Sequence, residues 1–167
     1  MDGYVAKGGT VLLFAKDANQ MGNTALTFAS RGGIIGSASS YWYTNPDTKL
    51  FGRLPSERPM GWPYYRIMPR NIPIITALGP STNKDDILLD CYTAWCRSND
   101  FGAGTVNPLT GIIVQFKHGK GRVIVTTLDL TGPLTEDDDP VAAVVMDDLI
   151  QYCFSDFAPK TELPIKH

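Results

Sequence analysis

A chain of 167 residues with 43% apolar and 19% charged side chains has the length and composition of one globular domain with a sizeable core. Fifteen basic and seventeen acidic residues leave a formal charge of -2, which excludes the basic surface that nucleic acids or anionic membranes attract. No apolar run approaches the ~20 residues of a membrane-spanning helix. Residues 1–10 lack a signal-peptide pattern, and three cysteines show no metal-binding spacing, so we expect a reduced, cytoplasmic protein.

The first predicted elements are the end of a helix and a buried strand. Residues 4–7 have the pattern of a last helical turn that Gly8 closes, and residues 10–15 (TVLLFA) that of a strand in a parallel sheet. A chain that enters through a helix end directly into a central strand predicts an upstream βα portion, or another chain that supplies the missing cover. We therefore expect an incompletely covered sheet edge or face near 10–15, occupied by another chain or by residues 41–70.

The following segments carry weaker signals. Residues 18–31 favour a helix, and residues 34–36 favour a short strand. Residues 41–70 contain five prolines and many aromatic side chains, with few helix or strand patterns. Long irregular segments in compact domains are usually functional or interfacial.

Two short ordered pieces are predicted next. Residues 71–78 favour a strand or an extended piece, which Pro73 weakens. Asn83 and its neighbours offer N-caps for the segment that follows, and residues 87–92 fit a strand or a short turn of helix. Residues 98–110 have the composition of a glycine-rich loop.

Residues 111–130 (GIIVQFKHGKGRVIVTTLDL) give the clearest structural signal in the chain. Two runs rich in Val, Ile and Thr, 112–116 and 123–128, flank a glycine-containing turn, which predicts a β-hairpin. In the second run both alternating faces are apolar. A strand of this kind is covered on both sides, so we expect it inside a layered α/β domain.

The last predicted element is a helix that begins at Asp139 and Pro140, an N-cap carboxylate followed by proline at the first helical position. Before it, residues 131–138 form a polar connection. After it, residues 158–167 form a tail without periodicity, so the single domain is expected to span 1–157. The helix face that packs on the sheet is predicted to comprise Val141, Val144, Val145, Leu149, Tyr152 and Cys153.

Candidate catalytic groups lie where strands end, because ligands of open α/β sheets bind beyond the carboxyl ends of the strands. Asp17 follows the first strand and Asp129 follows the hairpin, so a carboxylate pair is one hypothesis, although Asp also caps loops. The acidic run 136–139 is more typical of a helix N-terminus than of a metal site, and His118 is more typical of an exposed turn. We expect no metal and no cofactor.

A second candidate site is the aromatic cluster in residues 41–66. Aromatic rings interspersed with polar side chains suit sugar stacking or a protein interface, and they suit equally a loop folded back over its own core. The residues concerned are Tyr41, Trp42, Tyr43, Trp62, Tyr64, Tyr65 and Arg66.

Two segments resemble a known family. YVAKGGTVLLFAKDANQMGN resembles the YVxxGGTLVxTxxxGxxD segment in the trimerisation domain of β-galactosidases, which has the class I glutamine-amidotransferase-like fold. GKGRVIVTTLDL followed by DDPVAAVVMDDLIQY resembles the closing strand and helix of amidotransferase-like domains attached to bacterial glycoside hydrolases. The resemblance covers about a third of the chain. It implies an α/β, three-layer, flavodoxin-like (amidotransferase-like) fold whose sheet is mostly parallel, with a C-terminal β-hairpin and packing helix.

Active members of that fold use a cysteine on a sharp turn after a strand, with a histidine and an acid downstream. Here the turn is Lys16-Asp17-Ala18, and no His-x-Glu pair follows the later strands, so no glutaminase activity is expected. The resemblance then implies a non-catalytic domain of a carbohydrate-active, glycoside-hydrolase-type protein, with a role in assembly or in shaping a substrate site. The alternatives are a small hydrolase that uses Asp17 and Asp129, and a carbohydrate-binding module built on the aromatics of 41–66.

The expected partners follow from these features. We expect a homo-oligomer, or a tight contact with other domains of a parent enzyme, and carbohydrate is a further candidate ligand. Exposed aromatic clusters are enriched at protein interfaces, so the contact is expected at residues 41–65 more than at the helix after Asp139.

Overall fold

The computed structural model describes residues 2–15, 22–30, 40–44, 50–53, 64, 66–67, 73–78, 81–93, 109–136 and 138–166. The helices are α1 (Asp2–Ala6), α2 (Thr131–Glu136) and α3 (Pro140–Cys153), and a 3-10 turn spans Lys84–Asp86. The strands are β1 (Thr10–Phe14), β2 (Thr27–Ser30), β3 (Ser40–Thr44), β4 (Pro73–Leu78), β5 (Ile87–Thr93), β6 (Leu109–Gly111), β7 (Ile113–His118) and β8 (Gly121–Thr126).

The main sheet is five-stranded, in the order β1-β8-β7-β5-β3. β1 and β8 are parallel, whereas the other neighbouring pairs of this sheet are antiparallel. The expected three-layer, flavodoxin-like (amidotransferase-like) fold with a mostly parallel sheet is therefore wrong. A strand covered on both faces is apolar in either kind of sheet, so the sequence pattern that indicated cover contained no information about strand direction.

The predicted hairpin is confirmed as β7 and β8, which are joined at Gly119 and Lys120. Gly119 has a φ of 62°, the left-handed conformation that the turn requires and that glycine adopts without strain. β8 is buried along its whole length. Val123 packs on one side of the sheet and Ile124 on the other, which confirms that this strand is covered on both faces.

Different elements cover the two faces of the main sheet. α3 packs on one face, where Val145 and Leu149 join the core around Ile124. The other face is covered by α1, by an antiparallel three-stranded sheet of order β2-β4-β6, and by residues near the C-terminus. Buried residues of this second cluster include Val5, Leu26, Ile75, Leu78, Ile87, Val114, Phe116, Val123, Val125 and Leu163.

Several local predictions are settled by these elements. A strand at 10–14 that pairs parallel with β8 is confirmed, but it is half-buried and terminal rather than buried and central. The 87–92 segment is a strand rather than a turn of helix. The helix expected over 18–31 is wrong at 27–30, where β2 pairs with β4. The connection expected over 131–138 contains α2. The short strand expected at 34–36 lies outside the described residues.

The N-terminus of α3 has the predicted capping geometry. Asp139 Oδ1 accepts the backbone N–H groups of Val141 at 2.8 Å and Ala142 at 3.1 Å, and Pro140 occupies the first turn. This arrangement satisfies N–H groups that have no partner within the helix. α3 and the other helices in the described ranges are too short or too polar to cross a membrane.

Residues 158–166, here called the C-terminal strap, lie along β7 and contact residues 23–25. The Lys117 N–H donates to the Thr161 carbonyl at 2.7 Å, and the Lys117 carbonyl accepts the Leu163 N–H at 2.8 Å. β5 pairs with β7 only around Ile113 and Val114, so the strap takes the place beside β7 that β5 leaves. The segment that was expected to be a tail therefore extends the sheet.

Candidate functional site

Asp129, one member of the expected carboxylate pair, lies half-buried just before α2. Its N–H donates to the Ile67 carbonyl at 3.0 Å, and its Oδ1 accepts the Gly132 N–H at 3.4 Å. These bonds fix the path from β8 into α2, which is the ordinary capping role of Asp at a helix start. Asp17, the other member, lies outside the described residues.

The aromatic cluster divides between the core and parts that the structure does not describe. Tyr64 is 0% exposed, and its ring meets that of Phe51 edge to face at 6.3 Å. Burial raises the pKa of the Tyr64 phenol, and the charge of Asp148 raises it further. Tyr64 therefore belongs to the cover of the protein's own core. Arg66 is exposed, and its Nε lies 3.9 Å from Asp139 Oδ2. Trp62, Tyr65 and the side chains of Tyr41, Trp42 and Tyr43 lie outside the described residues.

The described part of the aromatic segment is anchored on one flank of α3 by Arg53. Its Nε donates to Asp148 Oδ1 at 2.8 Å, and its Nη2 donates to Asp147 Oδ2 at 2.6 Å and to the Val144 carbonyl at 3.3 Å. The hydrogen bonds to Asp148 and Asp147 raise the pKa of the Arg53 guanidinium. Residues 144, 147 and 148 therefore mark the flank of α3 that this segment occupies.

A cleft of about 510 Å³ opens where the hairpin turn meets the end of α3. Arg122 forms part of its wall, but its guanidinium is directed into the protein. It donates to the carbonyls of Tyr152 at 3.0 Å, Cys153 at 2.7 Å and Phe157 at 2.7 Å, and it lies 5.2 Å from the centre of the Tyr152 ring. A cation at the negative end of a helix dipole stabilises the helix, so Arg122 has a structural explanation.

A buried polar network joins α3, the sheet and the strap. Asp86 is 1% exposed, and its Oδ2 accepts the Thr161 N–H at 2.6 Å, the Thr161 hydroxyl at 2.7 Å and the Lys160 N–H at 2.9 Å. Its Oδ1 accepts Gln115 Nε2 at 3.0 Å, and the Tyr152 hydroxyl donates to Gln115 Oε1 at 3.0 Å. Each of these hydrogen bonds joins two groups of the protein, so the network ties the strap and α3 to the sheet. Sequence reasoning missed it, because Asp86 follows another Asp in what resembles a polar turn.

The other titratable candidates also have structural surroundings. Within the described ranges, no three His, Cys, Asp or Glu side chains converge in a way that could hold a metal ion. Burial raises the pKa of the half-buried Cys153 thiol, which disfavours its reactive thiolate form. His118 is half-buried at the end of β7, beside the turn.

Among the described surfaces, β1 is the one that the structural roles above do not explain. It is a terminal strand of the main sheet, and among the described strands it pairs only with β8. All of its residues, TVLLF, are half-buried and uncharged. Natural edge strands are commonly protected by charged side chains, proline or a bulge, and β1 has none of these within 10–14.

The hydrogen bonds to β8 show which backbone groups of β1 point away from the sheet. The Gly9 carbonyl accepts the Arg122 N–H of β8 at 3.1 Å, and the Ala15 N–H donates to the carbonyl of Thr126, the last residue of β8, at 2.8 Å. Because backbone groups alternate in direction along a strand, residues 11 and 13 also face β8. The residues whose N–H and C=O groups face outwards are Thr10, Leu12 and Phe14.

Comparison with known families and characterised proteins adds no identification. No protein-family model matches this sequence, and no curated protein matches it.

Proposed function

We propose that this chain is a non-catalytic α/β domain of a carbohydrate-active, glycoside-hydrolase-type protein, and that it acts in assembly by pairing β1 with β1 of a second copy. The observation that carries the assembly role is the half-buried, uncharged edge strand at 10–14. The association with carbohydrate-active proteins is supported by the resemblance of residues 4–23, 119–130 and 138–152 to domains of such proteins.

A second copy fits this edge because an antiparallel pair of identical strands is self-complementary. With the two-fold axis at Leu12, the outward N–H and C=O groups of each strand meet their counterparts in the other. Thr10 then lies opposite Phe14 of the second copy, and no charged side chains from 10–14 oppose each other. The two sheets would form one continuous sheet across the dimer.

The surroundings of the other candidates favour this surface over them. Asp129 caps α2, Arg122 caps α3, and Tyr64 fills the core, so each has a structural role. The edge at β1 has no such explanation within the described part of the chain. It therefore replaces the aromatic segment as the proposed contact.

The test removes one outward N–H group without disturbing the β1–β8 ladder. Leu12→Pro deletes the N–H that faces outwards, at a position where an edge strand tolerates proline. Leu12→Ala is the matched control, since it removes similar packing against α3 but keeps that N–H. In sedimentation velocity we expect wild type and Leu12→Ala to form dimers, and Leu12→Pro to have a dissociation constant at least about tenfold higher.

Circular dichroism and urea unfolding check that all variants fold. Leu13→Pro serves as the second control, because its N–H faces β8 and its loss is expected to destabilise the domain itself. A wild-type chain that stays monomeric across the concentration range overturns the assembly proposal. Equal dissociation constants for Leu12→Pro and Leu12→Ala overturn the assembly proposal as well.

A further inference from the structure

α3 has a second apolar stripe besides the one that faces the sheet. The sheet-facing residues, Ala142, Val145, Leu149 and Tyr152, are buried. The second stripe, here called the outer seam, consists of Ala143, Met146, Ile150 and Cys153. Successive members are three, four and three residues apart, which is the spacing of a helix surface that packs against another helix. A helix with two apolar stripes has two packing partners, of which the sheet is one.

The outer seam lies on the flank of α3 opposite Arg53. At 100° per residue, positions 146, 150 and 153 fall on the other side of the sheet-facing stripe from 144 and 148, which contact Arg53. Met146 and Cys153 are half-buried against the same core cluster as Leu12 and Phe14 of β1, and α3 contacts β1 directly. The seam therefore continues from the β1 edge on the α3 face of the sheet.

The exposure of the seam rises away from the sheet. Met146 and Cys153 are half-buried, Ile150 is 46% exposed, and Phe154 at the end of the helix is 85% exposed. No seam position carries a charge, whereas the opposite flank has Asp147 and Asp148 held by Arg53. Two copies of the seam can therefore approach without the repulsion that two acidic flanks would meet.

We infer that the outer seam of α3 packs against the same seam of a second copy, so that the assembly surface combines strand pairing at β1 with a helix contact. This inference rests on the proposed pairing of β1 and adds a second layer to it. A two-fold axis at β1 leaves both α3 helices on the same face of the continuous sheet, side by side. The seams then face each other across the axis, with Ile150 near its counterpart.

The experiment places a charge on the seam and compares it with the same charge on the outer face of the helix. Ile150→Lys brings like charges together across the axis, and we expect the dimer dissociation constant to rise at least about tenfold. Gln151→Lys is the matched control: it is the next residue, it is exposed, and it lies outside the seam near Asp147. Its dissociation constant is expected to stay within about twofold of wild type.

A second variant gives a positive signal. Ile150→Cys combined with Cys153→Ala, treated with a mild oxidant, is expected to form a disulfide-linked dimer on non-reducing gels that Cys153→Ala alone does not form. If wild type dimerises, Ile150→Lys matches Gln151→Lys and no cross-link appears, the helix contact is overturned while the β1 pairing stands. If Leu12→Pro keeps the dimer but Ile150→Lys breaks it, the seam acts without the strand pairing, and the combined surface is wrong. A monomeric wild type overturns both proposals.

Discussion

Two strand edges in the described part of the main sheet, beside β7 and beside β1, differ in whether the chain itself pairs them. Beside Lys117 of β7, where β5 no longer pairs, the C-terminal strap supplies the missing backbone partner. Beside β1, no described strand does so. The strap that completes the first edge is held by a residue far from it in sequence. Thr161 of the strap binds Asp86, which lies 75 residues earlier.

The chemistry of the two edges differs as much as their occupancy. The strap edge is fixed by a buried carboxylate with several donors, an arrangement that is costly unless every bond is made. The β1 edge presents only apolar side chains and outward backbone groups, which a partner strand can satisfy as a unit. The edge of β7 is paired by the chain's own strap, and the edge of β1 is suited to pairing with a strand of a second copy.

Asp86→Ala is expected to have the largest effect on stability, because it breaks the hydrogen bonds that hold the strap. The substitution leaves Gln115 Nε2 and the N–H groups of Lys160 and Thr161 without their acceptor, so we expect a loss of about 3–5 kcal/mol in the free energy of unfolding. Urea unfolding followed by circular dichroism measures it. Asp85→Ala is the control, because its ion pair with Lys160 is exposed to solvent and contributes little to stability. Equal losses for the two variants would show that the strap is held by other contacts.

Tyr152→Phe makes a smaller change in the same buried network of hydrogen bonds. It removes the donor to Gln115, at 3.0 Å, and is expected to lower the free energy of unfolding by about 1 kcal/mol at pH 8.

The effect of this substitution should depend on pH. Burial raises the pKa of the Tyr152 phenol to about 12, whereas an unfolded tyrosine titrates near 10. The folded state keeps the proton over this window and the unfolded state loses it, so the contribution of Tyr152 is complete below pH ~10 and falls as the pH rises towards about 12. The stability gap between wild type and Tyr152→Phe should narrow from pH 8 to pH 11 in urea titrations. A gap that stays constant contradicts the burial of this phenol.

The smallest effect is expected from Trp42→Ala combined with Trp62→Ala, which tests the aromatic segment. β3 is the other terminal strand of the main sheet, and the sequence assigned the contact to residues 41–65. If β1 carries the contact, the dissociation constant in light scattering should change less than for Leu12→Pro. A shift to monomer with an unchanged circular dichroism spectrum would return the contact to the aromatic segment.

The elements predicted well from the sequence are those whose signals are local. Gly119 in the hairpin turn and the Asp139-Pro140 start of α3 each depend on a few adjacent residues. Strand direction was predicted wrongly, because an apolar run does not record which strand lies beside it. α2 was missed because its sequence, TGPLTE, contains glycine and proline, which are unfavourable inside a helix.

The candidate site shows the same division between local and distant signals. The expected opening near 10–15 came from a helix end that leads directly into an apolar strand, and β1 is a terminal strand of the described sheet. The strap could not be found in this way, because its order depends on Thr161 meeting Asp86. The outer seam of α3 was overlooked because the sheet-facing stripe of the same helix has the same spacing.

The strap also sets an order of events during synthesis on the ribosome. β1 is synthesised well before its parallel partner β8, which begins only at Gly121, so the nascent chain holds an unpaired apolar strand until β8 has been made. Asp86 also waits for its partner, since Thr161 follows it by 75 residues. Domains whose contacts join distant residues fold late and expose apolar surface meanwhile. The strap residues therefore complete the edge of β7 only after the rest of this domain has been synthesised, and a stall before them leaves the edges beside β1 and β7 open to chaperones.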